Sequence, residues 1–175
     1  MYSFVLFYSQ AYKRCDFDYL LKTDDDTLVH IPNLYTLIAK SKKTGVYLGR
    51  AQSQRYNDQP FREDRYGLSY EEYAGKFLPP FVTGGGVLFS HDVVKGVIPH
   101  FVKRLLKLED VYVGLLVMNM NIIAQHSNLF GHSVGECEWE KWKHSVTLHF
   151  WGRKKRDEIT CMRDNFKHVL QGLTK

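Results

Sequence analysis

Three consecutive aspartates, Asp24, Asp25 and Asp26, follow closely on a short apolar run, Tyr19-Leu20-Leu21. Neighbouring carboxylates repel one another, and the repulsion must be offset by a cation or by hydrogen-bond donors. Hard oxygen ligands suit Mg²⁺ or Mn²⁺. The alternative is a solvated acidic turn. Asp16 to Leu21 reads as a buried strand ending at Lys22. Open α/β sheets place ligand sites at the C-terminal ends of strands, which favours the cation site.

Short strands and helices alternate along the chain, predicting α/β layers with a mixed, mostly parallel sheet. Residues 2–13 fit a helix or a strand. Asn33 to Lys42 reads as a helix with Leu34, Leu37 and Ile38 on one face, and Val46-Tyr47-Leu48 as a strand. Residues 49–76 are polar and read as a loop or lid, with a short helix from Tyr70 to Phe77. Ser90 is a suitable N-cap for a helix with a Val93-Val94-Val97-Ile98 stripe running to Leu106, kinked or restarted at Pro99. Ile122-Ile123-Ala124 and Val146-Thr147-Leu148 read as strands, and the C-terminal part as helix from about Asp157.

Three other groups carry chemistry. Pro79-Pro80-Phe81-Val82-Thr83 leads into Gly84-Gly85-Gly86. These glycines allow either a turn or bulge, or a close approach of backbone to ligand. They match neither a phosphate-binding P-loop nor a dinucleotide fingerprint. Glu109-Asp110 opens an apolar segment, where an acid either caps a helix or serves as a general base. His149, at the end of Val146-Thr147-Leu148-His149, is a metal ligand or a core residue, with His126 and His132 as rivals.

The chain has 175 residues, 44% of them hydrophobic and 25% charged, which fits one globular domain. A net charge of +5 suits anionic partners without choosing among nucleotide, nucleic acid and membrane headgroup. The cluster Arg153-Lys154-Lys155-Arg156 reads as a solvated face, since no nucleic-acid motif accompanies it. Three cysteines, Cys15, Cys137 and Cys161, without C-x-x-C spacing, exclude a disulfide-rich mini-scaffold and a zinc ribbon. No apolar run reaches membrane-spanning length, and no targeting segment is expected within these residues.

Three blocks together resemble the β-1,3-galactosyltransferase family (glycosyltransferase family 31, with its N-acetylglucosaminyltransferases and Fringe enzymes). They are Tyr19 to Val29, Leu78 to Gly86, and Glu109 to Gly114, in matching order and spacing. The similarity covers about residues 12–150.

The resemblance implies a GT-A-like fold over a single partial catalytic domain, residues 1–175, with N-terminal strands missing. It implies an inverting hexosyltransferase that moves galactose or N-acetylglucosamine from a UDP-sugar to the 3-hydroxyl of a glycan acceptor on protein or lipid. Mn²⁺ (or Mg²⁺) is the implied cofactor. Asp110 matches the catalytic base. Asp26, Asp24 and His149 match the metal ligands, and Lys22, Asp24, Asp25, Gly84, Gly85, Gly86 and Glu109 the donor-binding positions. A base carboxylate of this kind needs no raised pKa, since it acts ionised.

The implied location is the Golgi membrane, lumenal face, through an anchor outside this chain, and Cys15 and Cys137 are then candidate disulfide partners. Only 23 residues precede Asp24, so low stability and weak activity are expected of the chain alone. The other readings are an inactive fragment or pseudoenzyme of the same family and a metal-dependent hydrolase.

Overall fold

The computed structural model describes residues 3–52, 67–101, 106–132, 142–150, 160–161, 163–164 and 166–168. The N-terminal segment is a helix, α1 (Ser3–Arg14), ending on Lys13 and Arg14, where the helix dipole favours cations. Phe4 and Tyr8, one turn apart, face inward and pack edge-on against Tyr112 and Phe89 respectively. Strand β1 (Tyr19–Lys22) is half-buried along its length rather than buried, and β2 (Thr27–Val29) begins five residues after it ends.

Helix α2 (Ile31–Lys40) carries Pro32 in its first turn, where the fixed φ of proline suits a helix. Its N-cap is His30, whose Nδ1 accepts the Asn33 N–H at 3.2 Å. The Asn33 side chain then donates to the Lys143 and Ser145 carbonyls, at 2.8 and 2.7 Å. Asn33→Ala strands those two carbonyls and is expected to cost about 1–3 kcal/mol in chemical denaturation.

Strand β3 (Tyr47–Gln52) reaches into the predicted loop, so residues 49–52 are sheet. Residues 53–66 lie outside the described set. A turn at 70–72 stands where the helix from Tyr70 to Phe77 was expected, and Leu68 is fully buried.

Strand β4 (Phe81–Ser90) runs through Gly84-Gly85-Gly86 without a turn, but its register against β3 is interrupted there. Gly49 faces Val87 while Ala51 faces Val82, so residues 83–86 of β4, the glycine run among them, bulge opposite the single residue Arg50 of β3. A Cβ on Gly49 would run into the Gly86 carbonyl, so β3 and β4 approach too closely there for a side chain.

Helix α3 (His91–Val97) buries Val93, Val94 and Val97, and Pro99 restarts the chain as a single 3-10 turn (Ile98–His100). Ser90 occupies the N-cap position without capping. Its hydroxyl accepts the Val46 N–H at 2.9 Å and donates to Asp92 at 2.6 Å.

Helix α4 (Glu109–Asn119) follows. Its end explains the misplaced strand at 122–124. Asn121 adopts a left-handed φ of 59°, and the Ile122 N–H bonds back to the Val117 carbonyl. The chain extends only at β5 (Gln125–His126), followed by β6 (Phe130–His132) and β7 (Thr147–His149). The described residues from 160 to 168 are helical.

The strands form two mixed sheets, ordered β1-β4-β3-β5 and β2-β7-β6. The parallel share is smaller than expected. Among the described residues only β3–β5 and β6–β7 pair parallel, while β1–β4, β3–β4 and β2–β7 are antiparallel. Helices α1, α3 and α4 join one face of the first sheet in the main core, and α2 packs with Val46, Leu88, Phe130 and Val146 in a second cluster. This is the mixed α/β architecture of a GT-A-like domain. Among the described residues no helix is long and apolar enough to cross a membrane.

The cysteines differ from expectation. Cys161 is disulfide-bonded and buried beside Trp142, Leu148 and Phe150, whereas Cys15 is a free, exposed thiol. Pairing of Cys15 with Cys137 is thereby overturned; Cys137 lies outside the described residues, as does the basic cluster at 153–156.

Candidate active site

The two sheets meet at the aspartate turn. Strand β1 pairs with β4, with Lys22 opposite Val87, and β2 pairs with β7, with Thr27 opposite His149. The Phe150 N–H donates to the Asp26 carbonyl at 3.1 Å, fastening the turn to the end of β7. His149 Nε2 therefore stands 3.1 Å from Asp26 Oδ1 and 3.9 Å from Asp24 Oδ2. One ligand atom from each of Asp24, Asp26 and His149 lies within 4.8 Å of the others.

Asp26 Oδ1 is buried with no hydrogen-bond partner, despite its nearness to the imidazole. A buried carboxylate oxygen without a donor is costly, and a cation would satisfy it. Two carboxylates and one imidazole at this spacing fit a divalent ion.

Glycine is needed beside this group for space. A Cβ at residue 84 would stand 2.6 Å from Asp24 Oδ2, and one at residue 85 would stand 2.6 Å from His149 Cβ. The glycine run lets β4 pass directly against both.

At the head of α4 the Asp110 carboxylate accepts the Gly84 N–H at 2.8 Å. Burial pushes its pKa up to about 6. Lys22 and the Gly84 N–H pull it down, while Glu109 and Asp24 add to the rise.

Lys22 Nζ lies 3.1 Å from Asp24 and 3.4 Å from Glu109. Burial opposes its charge, yet Glu109, Asp110 and Asp24 together hold its pKa above the ordinary value. A cavity of about 300 Å³ opens beside this ion pair, between Phe4 and Phe7 of α1 and Asp24, Asp25 and Glu109.

Lys22, Asp24, Asp25, Asp26, Gly84, Gly85, Glu109, Asp110 and His149 are thus gathered at one seam, whereas a Cβ on Gly86 would face Thr147 and Phe130. Of the rival histidines, His126 is exposed, and its ring nitrogens meet the Ala51 carbonyl and Asn128. The His132 side chain lies outside the described residues.

The model of the family described as Galactosyltransferase matches residues 2–128. The chain belongs to the galactosyltransferase family. It is 31% identical over 161 residues to mouse "Beta-1,3-galactosyltransferase 1", covering 86% of this chain and 47% of that protein. It is 30% identical over 142 residues to "Beta-1,3-galactosyltransferase bre-5" of Caenorhabditis elegans, covering 78% and 43%. It is 28% identical over 161 residues to "Hydroxyproline O-galactosyltransferase GALT6" of Arabidopsis thaliana, covering 88% and 22%. The chain therefore spans less than half the length of each of these relatives.

Within this galactosyltransferase domain, sequence reasoning missed the residues packed beneath the acids. Tyr8 and Tyr47 are buried, and burial, together with Asp110 and Glu109 nearby, raises the pKa of both phenols. The Tyr47 hydroxyl accepts the Val82 N–H at 3.0 Å. The sequence left residues 2–13 open between helix and strand, and nothing local in it ties residue 8 to residue 110.

Proposed function

We propose that this chain carries the metal-holding and proton-accepting part of an inverting hexosyltransferase. In this reading galactose or N-acetylglucosamine passes from a UDP-sugar to the 3-hydroxyl of a glycan acceptor on protein or lipid. The observation that carries the reading is the grouping of Asp24, Asp26 and His149 around a buried, unbonded Asp26 oxygen, in a chain of the galactosyltransferase family.

Imidazole among the ligands favours Mn²⁺ over Mg²⁺, which prefers oxygen. When bound, the cation offsets the negative charge gained by the departing diphosphate.

The chain's own residues supply the proton transfer and the shape. Asp110, ionised, takes the proton of the acceptor hydroxyl as that oxygen attacks the anomeric carbon from the face opposite the diphosphate. The Gly84 N–H holds one carboxylate oxygen and leaves the other to work. Phe4 and Phe7 offer apolar walls to a ring, and Asp24 and Asp25 offer acceptors to its hydroxyls. A Golgi lumenal site accords with the disulfide at Cys161, since disulfides persist in oxidising compartments.

Calorimetric titration with UDP and Mn²⁺ tests the reading. Metal-dependent UDP binding is expected, and its loss in Asp26→Ala with the fold retained. Equal binding in the variant, or none in the parent chain and none in a longer form, would return the three aspartates to an acidic turn.

A further inference from the structure

We propose that Lys22 is a positioning residue: a cationic brace that ties the aspartate turn to the head of α4 and so sets the state of the Asp110 carboxylate. The inference rests on the reading of Asp110 as the base.

Lys22 is the last residue of β1, and its side chain is only 14% exposed. Its ammonium reaches Asp24 at 3.1 Å on one side and Glu109 at 3.4 Å on the other. Glu109 is the residue before Asp110, and both stand in the first turn of α4. One charge therefore joins the turn that offers metal ligands to the helix that offers the base.

Among the described residues, the other groups facing Asp110 are of the wrong sign or neutral. Glu109 comes from α4 and Asp24 from the turn, and both are anionic. The buried phenols Tyr8 and Tyr47 come from α1 and β3, and β4 supplies only the Gly84 N–H. Among the described residues Lys22 is the cation that opposes burial there, and a nearby opposite charge favours the ionised carboxylate. Lys22 also lines the cavity that opens beside Phe4 and Phe7.

Carboxyl ¹³C NMR of the 175-residue chain tests this without any ligand. In Lys22→Met the Asp110 titration midpoint is expected to rise by about one pH unit from its wild-type value. In Lys22→Arg, which keeps the charge, it should return close to wild type. The same shift lowers the ionised fraction about threefold near pH 6.5 and changes it little near pH 8.5, so a transfer assay should show the same pH-dependent loss.

An unmoved midpoint in a folded Lys22→Met protein overturns the proposal. Lys22→Gln is read in the same way if the Met variant does not fold. Loss of fold in both, with Lys22→Arg folded, makes the lysine merely structural and also overturns it. Mn²⁺ broadening of the His149 ring signals is recorded alongside. Its absence in the wild type sinks the metal reading alone; its presence with an unmoved Asp110 midpoint sinks the brace alone.

Discussion

Replacement of Asp110 by asparagine is expected to lower sugar transfer by about 10²–10⁴-fold, the usual contribution of a positioned general base. The fold should survive, because an amide oxygen can still accept the Gly84 N–H. Stability should move the other way from activity. The native Asp110 pKa is raised from 3.8 to about 6, so between those values the native state binds more protons than the unfolded one. Stability contributed by this group is then full below about pH 4 and falls as pH rises through about 6.

The wild type thus carries a cost of up to about 3 kcal/mol at neutral pH, from about two units at 1.4 kcal/mol each. Asp110→Asn removes part of that cost. Denaturation at about pH 7.5 should find the variant at least as stable as wild type, with the difference gone near pH 4. A variant that is less stable than wild type at neutral pH would mean that the ionised carboxylate is a structural asset. The rate should rise with pH through about 6 and level off above it.

The second large effect concerns the glycine run. In Gly85→Ala the new Cβ would sit 2.6 Å from His149 Cβ, an atom that cannot move without shifting β7. Overpacking of this kind costs about 1–3 kcal/mol or more, and the Mn²⁺ response should vanish with the displaced imidazole. In Gly84→Ala the obstacle is Asp24 Oδ2, the far end of a side chain that can rotate. That variant should unfold near the wild-type denaturant midpoint and bind Mn²⁺ more weakly. Paired unfolding and Mn²⁺ titration curves separate the two, and equal destabilisation in both would show that backbone crowding in β4, rather than the named side chains, makes glycine necessary.

Much of this site was legible in the sequence because its chemistry is concentrated in short words. The aspartates, the glycines and Glu109-Asp110 each stand at an element boundary or on one strand, and their types announce their use. The histidine was legible only by its place after Leu148. What stayed hidden depends on packing across long separations. The parallel share was overestimated because strands alternating with helices suggest crossovers, whereas β1 and β3 both lie antiparallel to the long β4. The triple glycine, read as a turn or bulge or as a close approach, forms a bulge against β3 and also serves by lacking a side chain. Ile122-Ile123-Ala124 has strand composition, but the closing turn of α4 claims the Ile122 amide. The disulfide could not be read from three cysteines at all.

The clasp between Asn33 and Ser145 joins residues 112 apart. It lies beside the pairing of β2 with β7, which delivers His149 to the aspartates. During synthesis the acidic turn emerges before its imidazole partner. Pairings of such long range form slowly, because loop closure precedes their reward. The carboxylates of a nascent chain therefore spend their first interval exposed and incomplete, open to whichever hard cation the surroundings supply. The imidazole of the candidate site is supplied only when β7 docks.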